Sequence, residues 1–188
     1  MSVWLVRHGA TAWSESGRHT GRTDIPLIAA GEESARGLAS VLTGHPFQLV
    51  LTSPRQRARQ TAILAGFDGA ETTEDLDEWD YGVYEGMTTA DIRQSVPRWT
   101  VWTHPCPGGE AAPDVARRLD RVVDRLCAVD GDSLVFGHGH TLRALAARWL
   151  AEPVASGRFL RLDTATYSIL GHEREQPVVM AWNVPSGC

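Results

Sequence analysis

The chain has 188 residues, 43% of them hydrophobic and 22% charged, with a formal net charge of −5. These values fit a globular chain of about one domain and exclude disordered, fibrous and low-complexity classes. All 18 basic residues are arginine, so a Schiff-base lysine and a Walker-type phosphate lysine are excluded, and the acidic balance argues against nucleic-acid and anionic-membrane partners.

The opening residues carry no basic stretch ahead of an apolar run, and no apolar segment approaches the roughly 18 residues that span a bilayer. A cytoplasmic protein outside the membrane is therefore expected. Residues 3–6 predict a short buried strand that delivers Arg7, His8 and Gly9 at its carboxyl end. Residues 31–42, with Ala35, Leu38, Ala39 and Leu42 at helical spacing, predict an amphipathic helix. A strand at 49–51 runs into Thr52-Ser53-Pro54, an N-cap ahead of proline, and Gly66 stops the helix predicted over 54–65. Residues 77–86 and 100–113, rich in Gly, Pro and aromatics, read as loops around a short helix at 89–94.

Val115, Leu119, Val122, Val123 and Leu126 make the next helical stripe. Residues 134–136 form a third buried strand ending at Gly137-His138-Gly139-His140, and Leu142, Leu145, Ala146 and Trp149 mark another helix. Residues 158–163, 166–171 and 177–182 read as closing strands. Strands alternating with helices predict one α/β domain over 1–188, with a largely parallel central sheet. Cys106, Cys127 and Cys188 are odd in number and show no CxxC spacing, so reduced thiols in a cytoplasmic setting are expected.

Ligands of open α/β sheets gather outside the carboxyl ends of the strands. Arg7, His8, His138 and an arginine from 55–59 can converge there, making a cationic pocket suited to a phosphate dianion. Taken singly, a strand-end histidine is more often a packing residue, and an arginine near a helix start is usually a surface charge. Recurrence of the arrangement at three strand ends turns the balance towards a site.

The run Leu5-Val6-Arg7-His8-Gly9-Ala10-Thr11 resembles the RHG signature of the histidine phosphatase superfamily, also called the phosphoglycerate mutase-like family. The resemblance continues in order through Gly17-Arg18-His19-Thr20-Gly21, Ser53-Pro54-Arg55-Gln56-Arg57-Ala58, Leu76-Asp77-Glu78-Trp79-Asp80-Tyr81-Gly82 and Gly137-His138-Gly139-His140-Thr141-Leu142-Arg143. It implies a three-layer α/β/α sandwich of the phosphoglycerate mutase-like kind. It also implies His8 as a nucleophile that becomes phosphorylated, Arg7, Arg57 and His138 as phosphoryl ligands, and Glu78 as general acid. Ser14, Thr20, Gly21 and Tyr81 fall where relatives line the substrate cleft. Ala10 departs from the glutamate that many members carry after RHG.

Chemistry points the same way. A histidine attacks phosphorus only when neutral, and clustered positive charge keeps it so. Arginine and histidine donors can meet the transition-state charge that magnesium meets elsewhere, so no metal and no cofactor is expected. Glu78 stands beside Trp79 and Tyr81, whose apolar surface would help it hold a proton for the leaving alkoxide. A metal reading of His138-Gly139-His140 with His8 or His104 is disfavoured: the i, i+2 pair should diverge, and no carboxylate stands at ligand spacing. Cys106 has no nearby base, which argues against a cysteine nucleophile. The aromatic segment 99–110 either walls the cleft or plugs the core, and it looks like a loop of the acid phosphatase and sugar-bisphosphatase branches.

The expected activity is a metal-independent, acid phosphatase-like hydrolysis of small phosphorylated metabolites. Its rivals are a cofactor-dependent phosphoglycerate mutase and a non-catalytic phosphate- or phosphoprotein-binding module. The carboxyl end finishes a strand with few residues after it to form a lid, so water is expected to reach a phosphorylated His8. A homo-oligomer is left open.

Overall fold

Six strands, β1 (Val3–Arg7), β2 (Phe47–Thr52), β3 (Glu71–Thr72), β4 (Asp132–Gly137), β5 (Thr166–Glu173) and β6 (Gln176–Pro185), form one sheet in the order β3-β2-β4-β1-β5-β6. The computed structural model describes residues 1–186, so Cys188 lies outside the described residues. β1, β2, β3 and β4 run parallel to their neighbours among themselves, whereas β5 joins β1 antiparallel and β6 joins β5 antiparallel. The register pairs Arg7 with Gly137 and Thr52 with Phe136. β1, β4 and β2 therefore end level with one another, which is the placement a shared site requires.

Helices α1 (Ala12–Glu15), α2 (Ala29–Gly37), α3 (Ala39–Leu42), α4 (Gln56–Leu64), α5 (Thr89–Ser95), α6 (Ala112–Cys127) and α7 (Gly139–Trp149) occupy the connections. Alternate strand residues face opposite sides of the sheet. On one side Leu5, Leu51 and Val135 pack with Val115 and Leu119 of α6 and Leu142 and Leu145 of α7. On the other, Val6, Leu134 and Phe136 pack with Leu38, Leu42 and Ala62. Three layers result, in the expected α/β/α order. No helix among the described residues is long and apolar enough to cross a membrane.

Several elements differ from the sequence expectation, each for an identifiable reason. The helix expected over 31–42 is interrupted at Leu38, whose N–H reaches Ala35 O in a tighter turn after Gly37. The helix expected from Pro54 begins at Gln56, because Arg55 stays extended (φ −65, ψ 137) and the Gln56 N–H is met by Asp24 Oδ1 at 2.7 Å. Gly66, in left-handed backbone at φ +93, does follow the end of that helix. Residues 158–163 are not a strand. Val154–Phe159 is a 3₁₀ turn, and the following carbonyls are taken by side chains, Leu162 O by Arg7 and Arg161 O by Trp182, which leaves no ladder to form.

The segments carrying the site are pinned from below. Arg118, on α6 and only 7% exposed, donates to Glu110 Oε1 (2.8 Å) and Oε2 (3.0 Å) and to Asp75 O (2.8 Å). Glu110 also accepts the Asp80 N–H at 3.0 Å, so one ion pair ties residues 75–80 to the end of the aromatic loop. Losing one partner of a buried pair costs about 3–5 kcal/mol, and partial exposure of Glu110 places this one near about 3 kcal/mol. Arg118→Met is expected to lower the urea unfolding free energy by that amount. A loss below about 1 kcal/mol, the range of surface ion pairs, would show that the pair does not anchor the loop.

Candidate active site

The level strand ends bring His8 and His138 together, with ring centroids 5.2 Å apart and planes at 64°. His8 N–H bonds Gly137 O and Ser53 N–H bonds Phe136 O, both at 3.0 Å, so the ladder runs one residue past each strand. His8 Nδ1 lies 2.7 Å from Gly9 O. A carbonyl only accepts, so Nδ1 carries the hydrogen and Nε2 the lone pair. The ring lines a cleft of about 160 Å³ together with Arg7, Ser14, Thr20, Glu78 and Tyr81. Burial first, then Arg57 and Arg7, push its pKa well below the usual value. Desolvation is a larger cause than the neighbouring charges.

Arg7 lies along Gly139, where a Cβ would stand 3.3 Å from the Arg7 Cζ. Its Nη1 donates to Leu162 O at 2.5 Å, while its buried Nε has no partner among the described residues. Such an orphaned donor costs free energy that an anionic oxygen would recover. Arg57, fully buried, donates from Nη1 to Thr23 O (3.0 Å) and from Nη2 to Thr20 O (2.9 Å) and Gly21 O (3.1 Å). Its Nε donates to His138 Nδ1 at 3.2 Å. His138 Nε2 must then hold the hydrogen and donate it to Ser53 Oγ at 2.7 Å, and Ser53 Oγ donates to Asp77 Oδ1 at 3.1 Å. Arg57 and His138 thus stand behind His8 and are not part of the cleft wall. Arg55 is paired with Asp77 and Arg59 is exposed.

Glu78 is 7% exposed, and its surroundings differ from the apolar setting expected of its aromatic neighbours. Oε1 accepts from Trp79 N (2.9 Å), Thr141 N (2.9 Å) and Thr141 Oγ1 (3.0 Å), and Oε2 accepts from His140 N (3.0 Å). The carboxyl group therefore sits on the N-terminus of α7, where free amides favour an acidic partner. Gly21 does not line the cleft. Its N–H is held by Glu85 Oε1 and Oε2 at 2.9 and 3.0 Å, and a Cβ there would meet Trp79 O at 2.6 Å.

The cleft also contains Arg18, His19, His140 and Arg143, to which the sequence reading assigned no firm role. Tyr81 OH and His140 Nδ1 are 2.6 Å apart; burial pushes the tyrosine pKa well up and the histidine pKa well down, so the hydroxyl donates. His138 and His140 turn apart, the one to Arg57 and the other to Tyr81. Among the described residues, no group of three or more His, Cys, Asp or Glu is positioned to hold a metal ion. Of the two readings of 99–110 the core one is seen: Trp99 is buried at 1% exposure and the half-buried Trp102 packs against the core, its ring 5.2 Å from the cleft residue His140, while no residue of 99–110 lines the cleft itself. Burial pushes the Cys106 thiol up to about 11, which leaves it unreactive.

A neutral, desolvated histidine beside arginines, at the carboxyl ends of parallel strands, defines a phosphoryl-handling α/β protein. The chain belongs to the histidine phosphatase superfamily (branch 1), whose sequence profile matches residues 3–185. It is 45% identical over 174 residues to an acid phosphatase of Mycobacterium tuberculosis, covering 90% of this chain and 85% of that one. It is 36% identical to sedoheptulose 1,7-bisphosphatase of Saccharomyces cerevisiae, over 77% of this chain and 66% of that protein. A solved structure of an open reading frame from Mycobacterium tuberculosis superposes with a TM-score of 0.95 at 40% identity, covering 99% and 98% of the two chains.

His8, His138 and His140 are all held well below the usual histidine pKa, with burial the largest cause for each. They bind protons less readily folded than unfolded, so the unfolded chain takes up protons first as pH falls through about 6.5. Stability is then expected to be fully present above that pH and to decline below it, by up to about 1.4 kcal/mol per pH unit for each histidine. Urea unfolding at pH 7.5 and 5.5 measures the decline. An unchanged or higher midpoint at the lower pH would contradict it.

Proposed function

We propose that the chain is a metal-independent, acid phosphatase-like phosphomonoesterase that hydrolyses small phosphorylated metabolites through a phosphohistidine on His8. The observation that carries this reading is the state of that imidazole. Its Nδ1 is fixed on Gly9 O, burial and two guanidiniums keep the ring neutral, and Nε2 is left as the lone-pair nitrogen of a ring lining a cationic cleft. The names of the relatives, an acid phosphatase and a sugar bisphosphatase, support hydrolysis as the outcome.

In this mechanism the His8 Nε2–phosphorus bond forms as the ester bond to the leaving oxygen breaks. Negative charge on the equatorial oxygens meets Arg7, with the Arg57 charge contributing from behind His8 and neutral His138, bound between Arg57 and Ser53, orienting that guanidinium. The leaving alkoxide takes a proton from Glu78. Glu78 is the one acid that lines the cleft with His8, which makes it the group placed to hand that proton over. Water then attacks the phosphohistidine, Glu78 accepts its proton, and inorganic phosphate departs. Ser14, Thr20 and Tyr81 meet the leaving group along the cleft, and Gly21 contributes through the carbonyl that orients Arg57.

Rapid quenching with a ³²P-labelled phosphate ester is expected to trap an acid-labile, base-stable phosphoryl group on the wild type and none on His8→Ala, whose turnover falls to background. Wild-type turnover in His8→Ala would overturn the assignment. General acids are worth about 10²–10⁴-fold, so Glu78→Gln is expected to lose that factor on alkyl phosphates. It should lose under about tenfold on an aryl phosphate, whose leaving group needs little protonation. Equal losses on both esters would make Glu78 a structural residue.

A further inference from the structure

Asp77 stands one residue before Glu78 and takes no part in the proposed reaction, yet it ends a relay of hydrogen bonds that starts on the buried Arg57. A hydroxyl has one hydrogen and two lone pairs. At Ser53 Oγ both lone pairs are taken by N–H donors, the His138 ring at 2.7 Å and the Arg55 backbone at 3.3 Å. Its hydrogen therefore has one direction left, to Asp77 Oδ1 at 3.1 Å. Every hydrogen in the relay then points the same way, from Arg57 Nε through His138 and Ser53 to the carboxylate. Aligned bonds of this kind polarise one another.

The relay has little freedom to rearrange. Arg57, Ser53 and His138 are fully buried, whereas Asp77 reaches the surface with 22% of its side chain exposed. Thr141 Oγ1 on α7 donates to Asp77 O at 2.7 Å, which holds Asp77 against the helix that His138 precedes. Arg55 claims the same carboxylate, donating from Nε to Oδ1 at 3.0 Å and from Nη2 to Oδ2 at 2.5 Å. Three donors thus face two acceptor oxygens. An amide in place of the carboxylate turns one acceptor into a donor, so either Ser53 or Arg55 loses a partner. Ser53 has no escape by turning its hydrogen to His138. Nδ1 of that ring is committed to accepting from Arg57, so Nε2 carries a hydrogen of its own.

We propose that Asp77 is a positioning residue for phosphoryl transfer: acting through Ser53, it holds His138 in the orientation that fixes the Arg57 guanidinium behind His8. The anchoring of Arg55 on the same carboxylate is a separate, structural contact. This inference rests on the phosphatase reading and deepens it, adding a residue that does not line the cleft.

The test uses Asp77→Asn, Ser53→Ala, their double variant and Arg55→Met in the whole chain. It follows kcat on an aryl phosphate per folded molecule, the folded fraction being read from near-ultraviolet circular dichroism. A charge-assisted hydrogen bond is worth about ten- to hundredfold, so Asp77→Asn and Ser53→Ala are each expected to lower kcat by about tenfold or more. The double variant should lose no more than the worse single one, because both substitutions break one relay. Arg55→Met removes the surface contact, leaves the relay, and should stay within about threefold of wild type. NMR of the ¹⁵N-histidine protein adds a readout that a purely structural role would not move. The His138 Nε2–H proton, assigned by its absence in His138→Gln, is expected to shift upfield in Asp77→Asn, further in Ser53→Ala, and not in Arg55→Met. Wild-type turnover in Asp77→Asn, losses in Arg55→Met equal to those in Asp77→Asn, additive losses in the double variant, or an unmoved ring signal in Asp77→Asn overturns the proposal and leaves the phosphatase reading standing. A wild type that hydrolyses no phosphate ester overturns that reading, and the proposal with it.

Discussion

The architecture of the site depends on a charge with no exposed surface. The Arg57 guanidinium is fully buried, and such a group is tolerated only when its donors are satisfied. Thr20, Gly21 and Thr23 offer their carbonyls and His138 offers Nδ1, so α4, the loop at 20–23 and the end of β4 are all fixed by one side chain. Glu85 holds the same loop from the other side, accepting the N–H groups of Gly21 and Thr23. Moving any of these pieces would strand a buried donor, at about 1–3 kcal/mol each.

That arrangement also settles the protonation of its neighbours. Three histidines and a tyrosine stand close to one another beside arginines, and burial drives each to its neutral form. Neutral rings have one donor and one acceptor nitrogen, and the surrounding groups leave only one assignment for each. His8 donates to a carbonyl, His138 accepts from a guanidinium, and His140 accepts from a phenol.

Much of this was legible in the residues, and the exceptions have a common cause. The buried strands at 3–6, 49–51 and 134–136 declare themselves by apolar runs that end in polar residues, and α6 by its stripe of Val115, Leu119, Val122 and Leu126. Arg57 is separated from Arg55 and Arg59 by a motif, and the structure separates them again by burial. What was hidden lay in partners distant in sequence. The start of α4 is set by Asp24, the strand expected at 158–163 is undone by Arg7 and Trp182, and Glu78 is surrounded by amides from α7 and not by the rings beside it in the chain. Arg143 carried a legible signal, its place one turn after Gly139 on a predicted helix. Its stacking on Trp102 emerges only in three dimensions.

Gly9 and Gly31 meet backbone to backbone. A Cβ on Gly9 would stand 2.3 Å from Gly31 O, and one on Gly31 would stand 2.2 Å from Ala10 O. Gly9 also supplies the carbonyl that orients His8, and its N–H is bound to Thr61 Oγ1 at 3.0 Å. The tautomer of the His8 ring is thus mechanically coupled to the entry of α2. With no side chain between the two segments to absorb displacement, slow breathing of that helix would be transmitted directly to the imidazole. The lifetime of that ring orientation is consequently a property of the outer helical layer as well as of the cleft.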